Sequence, residues 1–119
     1  MGPSVAKRLS PKLFEGVQQD AITDVKLECL DCLTDLLRRF GREIEPEHEK
    51  LVNCVTAQLA SDTINVRKRA TGCLGTVATV VADPVLNRLT SHLLAQIKSC
   101  KKADITRTYI QVLCDAYAP

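Results

Sequence analysis

Apolar residues recur four apart in three separate stretches of the chain: Leu9, Leu13 and Val17; Leu51, Val55 and Leu59; and Leu89, Leu93 and Ile97. A spacing of four marks one side of an α-helix. A second set alternates with the first. Val25-Lys26 opens a segment continuing through Cys29, Leu30, Leu33, Leu36 and Leu37, and Val66-Arg67 opens one through Ala70, Cys73, Leu74, Val77 and Val80. Thr106-Arg107 opens a third through Ile110, Leu113, Cys114 and Tyr117, and Asp24, Asp62 and Asp104 precede the three starts. Each set recurs about every 40 residues, so the unit is a helix pair with the period of HEAT and armadillo repeats. The pattern predicts an all-α, HEAT-type α-solenoid of about three stacked antiparallel pairs. Residues 5–119 form one array, with repeats at about 5–41, 46–82 and 84–119, the last truncated.

Punctuation agrees with this division. Gly41 follows Phe40 as a C-cap, Pro46 falls in the first turn of the next helix, and Glu47 and Glu49 lie near the positive end of that helix. Asp62 or Thr63 is expected to cap the helix containing Val66, Asp83-Pro84 to end one helix and start the next, and Ser99 to Asp104 to form a short turn. Pro11 lies inside the first helical pattern and should kink or split it. No polar capping repeat is visible at either end, which suggests a piece of a longer array whose exposed end repeats favour self-association. Met1-Gly2-Pro3-Ser4 reads as an expression leader or disordered start and is kept out of the fold argument.

Composition narrows the function classes. Of 119 residues, 45% are hydrophobic and 25% charged, a globular balance, and the aromatic content of 3% suits packed helices better than a β-sandwich. A net charge of +2 without aromatic platforms argues against nucleic acid. No apolar run approaches the roughly 18 residues of a membrane span, so no membrane role is expected. Five of the six cysteines (Cys29, Cys32, Cys54, Cys73 and Cys114) lie within helical patterns as small hydrophobes, which favours a reducing, intracellular setting over a disulfide framework.

Four stretches carry a family resemblance: Glu28-Cys29-Leu30-Asp31, His48-Glu49-Lys50-Leu51-Val52-Asn53, Val66-Arg67-Lys68-Arg69 and Thr106-Arg107-Thr108-Tyr109-Ile110-Gln111. In order, from about Val5 to Tyr117, the chain resembles the N-terminal region of the cullin-associated, neddylation-dissociated proteins, which are long HEAT-repeat solenoids. The resemblance implies a protein of cytoplasm and nucleus. It implies as partners an unmodified cullin and its RING subunit, and a role in exchanging substrate-receptor modules of cullin-RING ubiquitin ligases. On the repeat period alone, a generic HEAT adaptor, importin-like or a phosphatase scaffold, is the alternative.

Candidate chemistry is sparse. Cys29-x-x-Cys32 has the spacing of a redox pair or half a zinc site, yet it falls inside a helix with Cys29 toward the core and no second paired ligand set. His48, expected on a solvated first turn, and His92, expected at the edge of the core, accompany no nucleophile motif, phosphate loop or H-E-x-x-H. No catalytic residue, metal ligand or cofactor is therefore expected, and the chain reads as a non-enzyme. Lys26, Arg67 and Arg107 recur just after each helix-opening residue and are expected to reach an acidic residue of an adjacent turn. Alternatively, Arg67, Lys68, Arg69 and Arg107 form a basic stripe on the concave second-helix surface for an acidic partner. Arg38, Arg39 and Arg42 complement a helix C-terminus. Tyr109 is a candidate interface anchor, or else covers the truncated end.

Overall fold

The computed structural model describes residues 3–17 and 22–117. Its helices are α1 (Pro3–Val17), α2 (Thr23–Phe40), α3 (His48–Thr56), α4 (Ile64–Val80), α5 (Asp83–Ser99) and α6 (Ala103–Ala116). Short 3-10 turns at Glu45–Glu47 and Ala57–Ala60 flank α3, and none of the described residues forms a strand. The chain is thus an all-α helical repeat of three pairs: α1 with α2, α3 with α4, and α5 with α6. The second helices α2, α4 and α6 pack closely side by side, with α4 in the middle. The first helices α1, α3 and α5 touch one another only sparsely.

The apolar sets found in the sequence are the surfaces that meet. Leu30, Leu33 and Leu37 of α2, Leu51 and Val55 of α3, Val66, Leu74 and Val77 of α4 and Leu93 of α5 are fully buried in one continuous cluster. Burying each such side chain is worth about 1.5–3 kcal/mol, and the layers hold each other in place because no pair covers its own apolar faces. The three repeats differ in how fully they are covered. In α4, Ala70, Cys73, Leu74 and Val77 are all buried. At the equivalent positions of α6, Ile110 is 46% and Tyr117 is 55% exposed. The reason is geometric: α4 has a second helix on each side and α6 has one.

Local signals played out unevenly. Pro84 sits in the first turn of α5 as expected. At Pro11, however, α1 continues unbroken to Val17. The proline is on the exposed side of the helix, so the lost hydrogen bond faces water, while Leu13, Phe14 and Val17 keep the following turn packed. Thr63 occupies the N-cap position of α4, but neither it nor Asp62 caps through its side chain; instead Ser61 Oγ accepts the Thr63 backbone N–H at 3.2 Å. Gly41 follows α2 in right-handed helical geometry (φ −51°, ψ −44°), not in the left-handed form of a glycine cap. Its role is close approach: a Cβ there would lie 2.5 Å from the Leu37 carbonyl oxygen and 3.0 Å from Cγ1 of Val80. The α1 helix begins at Pro3, and Met1 and Gly2 lie outside the described residues.

Candidate partner-binding surface

Two grooves run along the second-helix layer. The first, of about 410 Å³ between α2 and α4, is lined by Asp31, Asp35, Arg38, Lys68 and Arg69 among others. The second, of about 370 Å³ between α4 and α6, is lined by Ile64, Arg67, Lys68, Thr71, Asp104, Arg107, Thr108 and Gln111. Arg67, Lys68 and Arg107 line the second groove and Arg69 the first, and the four cations have different occupations. Arg69 is ion-paired with Asp31 across the α2–α4 groove. Arg67 Nη1 donates to the Ser61 backbone oxygen at 2.7 Å, tying α4 to the turn before it. Lys68 and Arg107 are exposed and make no hydrogen bond or ion pair among the described residues.

The expected ladder of cations onto acidic residues is not formed. Lys26 Nζ donates to Gln58 Oε1 at 3.4 Å and Arg67 takes a carbonyl. The 3-10 turn at Ala57–Ala60 brings Gln58 and the Ser61 backbone, not a carboxylate, under these side chains. Tyr109 also departs from expectation: it is 5% exposed and belongs to the core, so it is not a surface anchor. Burial, and then the neighbouring Cys100, push its phenol above the ordinary value. Arg38 lies 3.8 Å from Asp35 in the last turns of α2, consistent with a solvated helix end.

The histidines exchange places relative to the sequence reading. His48 is buried, with Nε2 donating to the Gly41 carbonyl and Nδ1 without a hydrogen-bond partner among the described residues. The 3-10 turn Glu45–Glu47, which contains Pro46, leads into α3 so that its first residue, His48, reaches back to Gly41 at the end of α2. His92 is exposed on the rim of a groove of about 430 Å³ between α3 and α5, floored by Val52 and Leu89. There Arg88 Nη2 and Glu49 Oε1 are 2.8 Å apart, a pair absent from the sequence reading. A signal for it exists: Glu49 and Arg88, like Asp31 and Arg69, lie about one repeat apart, and residues one repeat apart face each other across stacked helices.

The cysteines are free and differ in reactivity. Cys29 is half-buried and packs against the core, where it fills the space opposite Gly16, whereas Cys32 and Cys114 are exposed at the edges of the helical patterns. Cys73 is buried, and burial pushes its thiol up to about 11. Cys100, in the loop before α6, is held below the ordinary value by the Thr106 side chain and then by the Lys102 backbone. At pH 7.5, roughly the middle of the usual labelling range, alkylation followed by peptide mapping is expected to mark Cys100 first and Cys73 only after denaturation. Equal rates would show that α4 opens freely. Because Cys73 must stay neutral while buried and titrates near 9.0 when exposed, its contribution to stability is intact below pH 9.0 and is lost as pH rises toward about 11.

Comparison with known proteins adds what geometry alone does not. No protein-family model matches the chain. It is 30% identical over 115 residues to cullin-associated NEDD8-dissociated protein 1 of Arabidopsis thaliana, covering 95% of this chain. It is 34% identical over 113 residues to the Drosophila melanogaster protein of that name. The chain is homologous to the cullin-associated NEDD8-dissociated family. Protein 2 of that family from Rattus norvegicus is 31% identical over 113 residues. The chain spans 9% of the length of each of these relatives. The family resemblance carried by the Val66-Arg67-Lys68-Arg69 and Thr106–Gln111 stretches thus extends over nearly the whole chain, and those stretches line the α4–α6 groove.

Proposed function

We propose that this chain is a non-catalytic scaffold segment that helps hold an unmodified cullin and its RING subunit against the second-helix layer, as part of the assembly and receptor exchange of cullin-RING ubiquitin ligases. The relatives are named for association with cullins and dissociation from NEDD8, and that naming supports the choice of partner. The observation that carries the reading is the exposed pair Lys68 and Arg107. They are uncompensated cations on the closely packed α4–α6 face, in the stretches that resemble the family. Charges of this kind steer and orient an acidic partner more than they add raw affinity.

Size-exclusion chromatography with light scattering tests it, using the chain alone and mixed with an unmodified cullin C-terminal domain bound to its RING subunit. Co-elution is expected, weakened in the double variant Lys68→Glu/Arg107→Glu. A chain that stays folded and never co-elutes at concentrations on the order of 10 μM would overturn the reading. The run on the chain alone also reports self-association through the apolar end positions Ile110 and Tyr117.

A further inference from the structure

Among the described residues, the salt bridges between helices follow the repeat. Asp31 and Arg69, 38 residues apart, pair between α2 and α4, and Glu49 and Arg88, at nearly the same separation, pair between α3 and α5. One repeat further along the second-helix layer the rule is broken. Lys68 and Arg107 are also about one repeat apart and share one groove, but they carry like charges. With Arg67 they make three cations against the single carboxylate of Asp104. In the α2–α4 groove, by contrast, Arg69 is matched by Asp31 and Arg38 by Asp35, and the one further cation is Lys68, which lines both grooves. Like charges at a facing register repel unless an anion lies between them.

The neutral side chains of the α4–α6 groove indicate what kind of anion fits. Thr108 Oγ1 donates its proton to the Asp104 backbone oxygen at 3.0 Å, and Gln111 Nε2 donates to Asp115 Oδ1 at 2.9 Å. Thr108 Oγ1 keeps its lone pairs, and Gln111 keeps its Oε1 acceptor and one amide N–H, so these two lining residues offer mainly acceptors beside the cations. An extended polypeptide supplies backbone N–H donors for these and carboxylates for the cations. A nucleic-acid backbone supplies no such N–H groups, and this groove has no aromatic platform for its bases. Ile64, 55% exposed at the rim, offers an apolar contact.

We infer that the α4–α6 groove receives an extended acidic polypeptide segment, with carboxylates on Lys68 and Arg107, backbone amides on Thr108 and Gln111, and an apolar side chain against Ile64. This deepens the proposed function by giving the chemistry of the partner at that groove, and its test uses no cullin. Fluorescence anisotropy would follow a labelled, acetylated peptide of alternating aspartate and leucine added to the intact chain, with its lysine counterpart and a single-stranded oligothymidylate as comparisons. The aspartate peptide is expected to bind, the lysine peptide not to. Lys68→Gln/Arg107→Gln should weaken binding roughly tenfold while Arg38→Gln leaves it within about twofold, because Arg38 belongs to the other groove. Circular dichroism melting establishes that both variants fold. Absence of binding, equal loss in the two variants, or tighter binding of the oligothymidylate would overturn the inference. A chain that co-elutes with the cullin core but takes no acidic peptide would sink the groove assignment and leave the proposed function standing; peptide binding without co-elution would do the reverse.

Discussion

Leu74→Ala is expected to lower the free energy of unfolding by about 2–5 kcal/mol and the melting temperature by roughly 10–20 °C, measured by chemical denaturation and thermal circular dichroism. Leu74 is fully buried in α4, the helix that contacts both neighbours in its layer as well as its own mate α3. Truncation there leaves a cavity in the continuous core cluster, inside the helix that packs against both neighbouring pairs. Domains of this size have only about 5–15 kcal/mol to lose, so the variant approaches the limit of stability at body temperature. A loss below about 1 kcal/mol would mean that the three pairs fold as loosely coupled units and that α4 is not their common support.

Gly41→Ala is expected to destabilise by about 1–3 kcal/mol, although the backbone at Gly41 is right-handed helical, where alanine is normally the better residue. The added methyl would lie 2.5 Å from the Leu37 carbonyl oxygen, which is backbone and cannot rotate away, and 3.1 Å from the Val80 Cβ. It would also disturb the carbonyl that accepts from His48. Gly72→Ala is the matching control: a Cβ there meets nothing within 4 Å, in the exposed side of α4, so the same replacement should stabilise by up to about 1 kcal/mol. Opposite signs for the two variants in one denaturation series would confirm that Gly41 serves close packing. Stabilisation at both would show that Val80 and the end of α2 simply move apart.

Gly41 also shows where sequence reading stops. That a glycine ends α2 was legible, because the apolar period stops at Phe40; why it is glycine depends on Val80, in the neighbouring helix pair. The period itself was fully legible: Leu51, Val55 and Leu59 are four apart and all three are buried. Phase was harder. Pro46 correctly marked a helix start, but the 3-10 turn that contains it leads into α3 with His48 buried. In α6 the repeat alignment favoured Ile110, Leu113 and Tyr117 as the inner face, whereas Ile105, Tyr109 and Val112 are the buried set. With a second helix on only one side, the covered part of the apolar stripe shifts toward α4 and α5. The basic stripe was found by residue type and position. Which of its cations are free was not legible, because Arg67 takes a backbone carbonyl and Arg69 a carboxylate one repeat away.

The uneven contact between the two helix layers gives the molecule a stiff side and a soft side. Spreading α3 from α5 separates the exposed Glu49 and Arg88 and widens a groove that is already open, at small cost. Spreading α4 from α6 or α2 would bring Val66, Ala70 and Leu74 into water. The array therefore behaves as a leaf spring that flexes by opening its first-helix side. Lys68 and Arg107, on the side that resists, keep their spacing while the curvature of the whole adjusts to what it holds.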